Sequence, residues 1–151
     1  MSNQLPLRPN VCMLLINSKG ELFLGERLGE PGVFQFPQGG AEPDLSLEEN
    51  VIKELHEETG AEESCFKILK KFKAIHDYDF DITPEYAKGK WRGQAQTFWL
   101  VEFLGNDSDF NLARFEAEFM SFRWCKPGEI EKIVEPKRMA AYRRVLSELA
   151  D

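Results

Sequence analysis

The stretch GGAEPDLSLEENVIKELHEETGA, residues Gly39–Ala61, passes from a glycine pair through a turn into a carboxylate-rich helix. Ser46 is a good helix N-cap, and Glu49 three residues later completes the spacing of a capping box. The spacing predicts a helix running to about Thr59, with Gly60 as the C′ residue that closes it. Leu47, Val51 and Leu55 recur at i, i+4 and i+8 and form a core stripe. Glu58 falls on the same stripe, seven residues after Val51, where a solvated side chain has no natural place. Glu54 and Glu57 stand beside it at helical spacing, so all three project from one side of the helix.

Clustered like charges destabilise a helix. A divalent cation relieves the repulsion, and oxygen donors of this kind suit Mg²⁺, Mn²⁺ or Ca²⁺ rather than zinc. An acidic, solvent-facing helix end is the plainer reading of a glutamate-rich helix. Glu58 on the buried stripe and the preceding glycine pair argue against it. So does the macrodipole, whose C-terminal end disfavours carboxylates.

Working outward, the chain has 151 residues, enough for one domain over 1–151 with a real core. Its formal net charge of −7 argues against a broad nucleic-acid-coating surface but leaves room for a nucleotide or an RNA end held by a few cations. No segment approaches the roughly 18 apolar residues of a membrane span. The N-terminal MSNQLPLRPN lacks an export pattern, so a cytoplasmic location is expected. Cys12, Cys65 and Cys125 are scattered without zinc-like spacing and read as reduced, partly buried thiols.

Arg8–Ile16 contains an apolar run that reads as a buried strand, followed by turn residues Asn17–Gly20 and a second strand over Glu21–Glu26. Val33–Gln38 is short and extended, with Pro37 ending it. Gly39 and Gly40 permit either close backbone approach or positive φ. Phe66–Ile75 is a strand whose lysines, Lys67, Lys70, Lys71 and Lys73, either attract a polyphosphate or protect an edge. His76–Gly93, with Tyr78, Phe80, Tyr86 and Trp91, reads as a hairpin or long loop; its rings either stack on a base or pack the loop down. His76 is read as a structural hydrogen-bonding residue. Ala95–Leu104 is a central strand and Phe119–Cys125 another. A short helix over Glu129–Ile133 precedes a last helix over Lys137–Leu149, whose apolar face is Met139, Tyr142, Leu146 and Leu149. Strands interleaved with two substantial helices imply a mixed sheet between helical layers.

The opening stretch resembles the signature box of the Nudix hydrolases, G-x5-E-x7-R-E-U-x-E-E-x-G-U, with U a bulky aliphatic residue. Gly39, Glu54, Glu57, Glu58 and Gly60 match it. Leu45 stands in place of the first Glu, Lys53 in place of Arg, and Ala61 is small for the last position. RPNV at Arg8–Val11, FQFPQGG at Phe34–Gly40, WRGQAQTFW at Trp91–Trp99 and AEFMSFRW at Ala117–Trp124 extend the resemblance over nearly the whole chain. They look like the branch that holds bacterial RNA 5′-pyrophosphohydrolases and asymmetrically cleaving dinucleoside tetraphosphate hydrolases.

That resemblance implies an α/β fold, the Nudix α/β/α sandwich with a mixed sheet. It implies Mg²⁺, with Mn²⁺ as the alternative, bound by Glu54, Glu57, Glu58 and the Gly39 carbonyl. Glu118, a surface residue on sequence alone, becomes a further ligand or the base, with Glu57 the alternative base. Arg8, Arg27 and Tyr78 match substrate-binding positions. Lys53 keeps the usual positive charge without the bidentate fork, to pair with Glu49 or touch phosphate. Because both members of the family's bracing Glu–Arg pair are changed, a less rigidly oriented site is expected. The implied activity is hydrolysis of the 5′-triphosphate end of RNA to a monophosphate. The alternatives are cleavage of diadenosine tetraphosphate to ATP and AMP, and a binding module with little catalysis. The sequence assigns no oligomeric state.

Overall fold

The computed structural model describes residues 4–151. Residues 1–3, part of the stretch read above for an export signal, lie outside them. Strands β1 (Leu7–Ile16), β2 (Leu22–Arg27), β3 (Phe34–Gln35) and β4 (Gln38–Gly40) precede helix α1 (Leu47–Thr59). Then come β5 (Phe66–Asp79), β6 (Gly93–Phe103), β7 (Phe119–Cys125), the one-turn α2 (Ile130–Ile133) and α3 (Pro136–Ala150). The seven strands form one sheet in the order β3-β2-β1-β6-β5, with β4 pairing to β1 and β7 to β2. The β1–β6 pairing is parallel over its whole length, from Leu7↔Gly93 to Ile16↔Glu102, and the others are antiparallel, so the sheet is mixed.

The run VCMLL in β1 shows no polar alternation because both faces of the strand are covered. Val11, Met13 and Leu15 pack with Val51 and Leu55 of α1. Cys12 and Leu14 pack with Met139, Tyr142 and Val145 of α3. The sheet therefore lies between two helical layers, as expected. Burying Val51 and Leu55 completely contributes roughly 1.5–3 kcal/mol each. Val145, absent from the expected apolar face of the last helix, is fully buried, while Leu146 and Leu149 are only partly so.

Helix α1 follows its sequence closely. The Ser46 hydroxyl accepts the Glu49 N–H (3.0 Å), the Glu49 carboxylate accepts the Ser46 N–H (2.9 Å), and Gly60 takes φ 79°. A Cβ at Gly60 would overlap the backbone carbonyl of Asn111. That close approach docks the following loop: the Asn111 N–H donates to Thr59 O (2.7 Å) and Arg114 to Gly60 O (2.9 Å).

Of the two readings of His76–Gly93, hairpin or long loop, the structure has the hairpin, with β5 and β6 antiparallel. Strand β5 continues through His76 and Tyr78 to Asp79, paired with β6 down to Gly93. Residues 76–79 pair in regular register but have no buried face, so no apolar alternation marks them in the sequence. Lys67, Lys70, Lys71 and Lys73 are exposed on this strand, at the end of the sheet order. The three cysteines are free. No helix is long and apolar enough to cross a membrane among the described residues.

Candidate active site

Three parts of the chain bring the predicted acidic residues together. Gly39 and Gly40 lie in β4, held against β1 by the pairings Val11↔Gly39 and Asn10↔Gly40. Neither has positive φ. The space beside Gly39 is filled by the Glu54 carboxylate, which a Cβ would overlap, so the glycine serves close approach. Helix α1 supplies Glu54, Glu57 and Glu58. Glu118 arrives from the far end of the loop docked on Gly60, immediately before β7, and its carbonyl accepts the Leu28 N–H (2.9 Å). It is exposed, as read, yet its carboxylate interacts with those of Glu57 and Glu58.

Glu58 is 3% exposed, and both of its carboxylate oxygens are buried without a hydrogen-bond partner. The Gln38 N–H and the Glu54 carboxylate face it, but the amide does not reach hydrogen-bonding geometry and the carboxylate offers only acceptors. Burial, with Glu118 and Glu54 adding to it, pushes the Glu58 carboxyl well above the usual carboxylate range. Burial likewise raises Glu54 to about 7, with Glu57 and Glu118 adding to the rise and Lys53 opposing it. Burial also raises Glu118, against the pull of Arg27. Two acceptors facing each other need a proton or a cation between them. The all-oxygen donor set fits a hard divalent ion. As they stand, no three His, Cys, Asp or Glu side chains converge into a closed cage among the described residues.

Lys53 does not pair with Glu49, whose carboxylate is taken by the helix cap. Its Nζ lies 3.7 Å from Glu42 and 3.7 Å from Glu57.

A cavity of about 720 Å³ opens beside this cluster, lined by Arg27, Gln38, Tyr78, Gln94, Gln96 and Arg138 among others. Arg27 is held by Glu30 (2.5 Å) and by Gln35 (2.8 Å). The Tyr78 hydroxyl donates to Gln94 (2.7 Å), and His76 stacks on the Tyr78 ring at 5.1 Å. His76 thus packs by its ring, and makes no side-chain hydrogen bond among the described residues. The Arg8 guanidinium lies against Gly40 and over the Tyr86 ring (5.0 Å). On the cavity wall a chain of amides crosses three strands: buried Gln96 donates to buried Asn10 (2.8 Å), and Asn10 donates to half-buried Gln38 (2.8 Å). Sequence reading missed this chain, as it missed Arg138 as a cavity residue. A smaller cavity of about 320 Å³, by Trp124 and Lys132, holds none of the predicted residues.

The NUDIX domain profile matches residues 6–149. The chain belongs to the Nudix family. Among its Nudix relatives, the RNA pyrophosphohydrolase of Sphingopyxis alaskensis is 36% identical over 149 residues, covering 97% of this chain and 94% of the relative. That of Novosphingobium aromaticivorans is 36% identical over 152 residues, with the same coverage. The Caenorhabditis elegans Ap4A hydrolase, in a binary complex, shares the Nudix fold at a TM-score of 0.64 and 17% identity, covering 93% of this chain and 98% of its own. Nudix hydrolases generally use divalent metal cations, in keeping with the oxygen-rich cluster around Glu58.

Proposed function

We propose that this chain is a single-domain, Mg²⁺-dependent RNA 5′-pyrophosphohydrolase. The observation that carries the reading is the buried Glu58 carboxylate, which faces Glu54 with no donor between them beside Gly39. The relatives named RNA pyrophosphohydrolase supply the substrate class.

Glu54, Glu57, Glu58 and the Gly39 carbonyl would hold the ion, with Glu118 available as a further ligand. A divalent ion such as Mg²⁺ held there would supply charge neutralisation at the phosphates and a lowered pKa for an attacking water. Glu118, exposed beside Glu57 and Glu58, would accept the proton of the attacking water. Glu57, beside Lys53, is less suited to that role. The water oxygen attacks phosphorus and an anhydride bond breaks. Pyrophosphate, or orthophosphates in succession, leaves, and a 5′-monophosphate remains on the RNA. Arg27, across the cavity from Tyr78, steadies the phosphates, and Arg8 reaches them from Gly40. Tyr78 offers a ring to the terminal base.

A second reading places diadenosine tetraphosphate in the same site. The roomy cavity with Tyr78 on its wall favours it, since adenine stacks well on such a ring. Specificity constants on 5′-triphosphate RNA and on diadenosine tetraphosphate separate the two. The first reading expects RNA to be the better substrate, and a large preference for the dinucleotide overturns it.

A further inference from the structure

Between Gly40 and α1 the backbone is clamped by a side chain from the helix. Asn50 is fully buried. Its Oδ1 accepts the Glu42 N–H (2.8 Å), and its Nδ2 donates to Ser46 O (2.8 Å) and to Glu42 O (3.2 Å). Glu42 is therefore fixed at both backbone polar groups, and a buried amide with all its partners in place is rigid. From this anchor the Glu42 carboxylate reaches Lys53 Nζ at 3.7 Å, and the same nitrogen lies 3.7 Å from Glu57. The Lys53 charge also acts on Glu54. Leu45, where the signature places a glutamate, is half-buried and lines an apolar-floored groove with Ile52, Ile68 and Lys53.

We infer that Glu42 is a positioning residue, which holds Lys53 so that Glu57 is kept facing the Glu54–Glu58 pair. The carboxylate absent from position 45 is supplied from position 42, and Asn50 makes that relocation possible. Glu42 acts through Lys53 and touches neither substrate nor ion. The inference rests on the proposed metal site, and is tested without relying on the proposed substrate. Exposed ion pairs contribute little to stability, so its effect appears in ion binding and turnover while Tm stays near wild type.

The experiment compares wild type, Glu42→Gln and the double variant Glu42→Gln/Leu45→Glu. Mn²⁺ affinity is measured on the free protein by electron paramagnetic resonance, and kcat and KM are measured on 5′-triphosphate RNA with Mg²⁺. Loss of a group that orients a metal ligand typically costs about 10-fold or more. Glu42→Gln is expected to weaken Mn²⁺ binding and lower kcat by about that factor, with KM and Tm near wild type. Leu45→Glu returns a carboxylate to the same groove, so the double variant recovers most of the loss. Wild-type Mn²⁺ affinity in Glu42→Gln, a loss that Leu45→Glu leaves unrepaired, or a wild type that binds no Mn²⁺ overturns the inference. A wild type that binds Mn²⁺ but leaves RNA uncut sinks the substrate reading alone, and the affinity series still decides the role of Glu42.

Discussion

The two walls of the site treat buried polar groups in opposite ways. On the amide wall, Gln96, Asn10 and Gln38 pass hydrogen bonds from strand to strand at 2.8 Å, each donor meeting an acceptor. On the acidic wall, the two oxygens of Glu58 meet no donor. The first wall is complete as it stands, and every bond in it stabilises the fold. The second is a liability to the folded chain until a proton or a cation enters. Mutation should therefore move stability in opposite directions on the two walls.

The largest effect is expected at Glu58. Glu58→Gln should lower Mg²⁺-dependent phosphate release by about 100-fold or more, in the range for damage to a metal site. It should also raise the Tm of the metal-free protein near pH 8, where the amide donates to the Glu54 carboxylate as an ionised Glu58 cannot. A Tm that falls with the activity would break the comparison. On the amide wall, Asn10→Leu leaves Gln38 and Gln96 unpaired and should cost about 1–3 kcal/mol in denaturant unfolding.

The pH dependence sharpens the same contrast. Glu54, raised to about 7 in the folded chain, and Glu58, also raised by burial, both bind protons more tightly folded than unfolded. Their contribution to stability is thus fully present below the ordinary carboxylate pKa and is lost as pH rises through the folded values. Metal-free protein should melt at a higher temperature near pH 5 than near pH 8, and saturating Mg²⁺ should shrink that difference by stabilising the charged forms. Melting curves at the two pH values, with and without Mg²⁺, measure it. The smallest effect is expected away from both walls: Ser46→Ala removes the helix cap and should cost about 1 kcal/mol, read as a lowered denaturant midpoint.

The acidic wall was readable in the sequence and the amide wall was not, for a physical reason. Helix α1 is written in local signals: a capping box, an apolar stripe, a closing glycine, and a glutamate on the stripe. The Asn10 chain joins residues 28 and 86 positions apart, and nothing near Asn10 announces its partners. Strand β5 beyond Ile75 was hidden because it buries no face, so no apolar period of two marks it. Helical spacing offers Glu49 as one partner for Lys53, beside phosphate. The cap competes for Glu49, and the clamp by Asn50 brings Glu42 within reach instead. Glu118 was found through the family resemblance, since its place beside Glu57 depends on how the loop after β6 docks on Gly60.

The central claim is that the carboxylates of α1 and Glu118 hold a divalent ion for cleavage of phosphoric anhydrides. Phosphate release from 5′-triphosphate RNA, by wild type and by Glu57→Gln, with Mg²⁺ and after chelation, tests it most directly. The account predicts release by wild type with Mg²⁺, near-complete loss on chelation, and severe loss in Glu57→Gln. Wild type and Glu57→Gln equally inactive on RNA and on a wide nucleotide panel, while both still bind nucleotide, would contradict it.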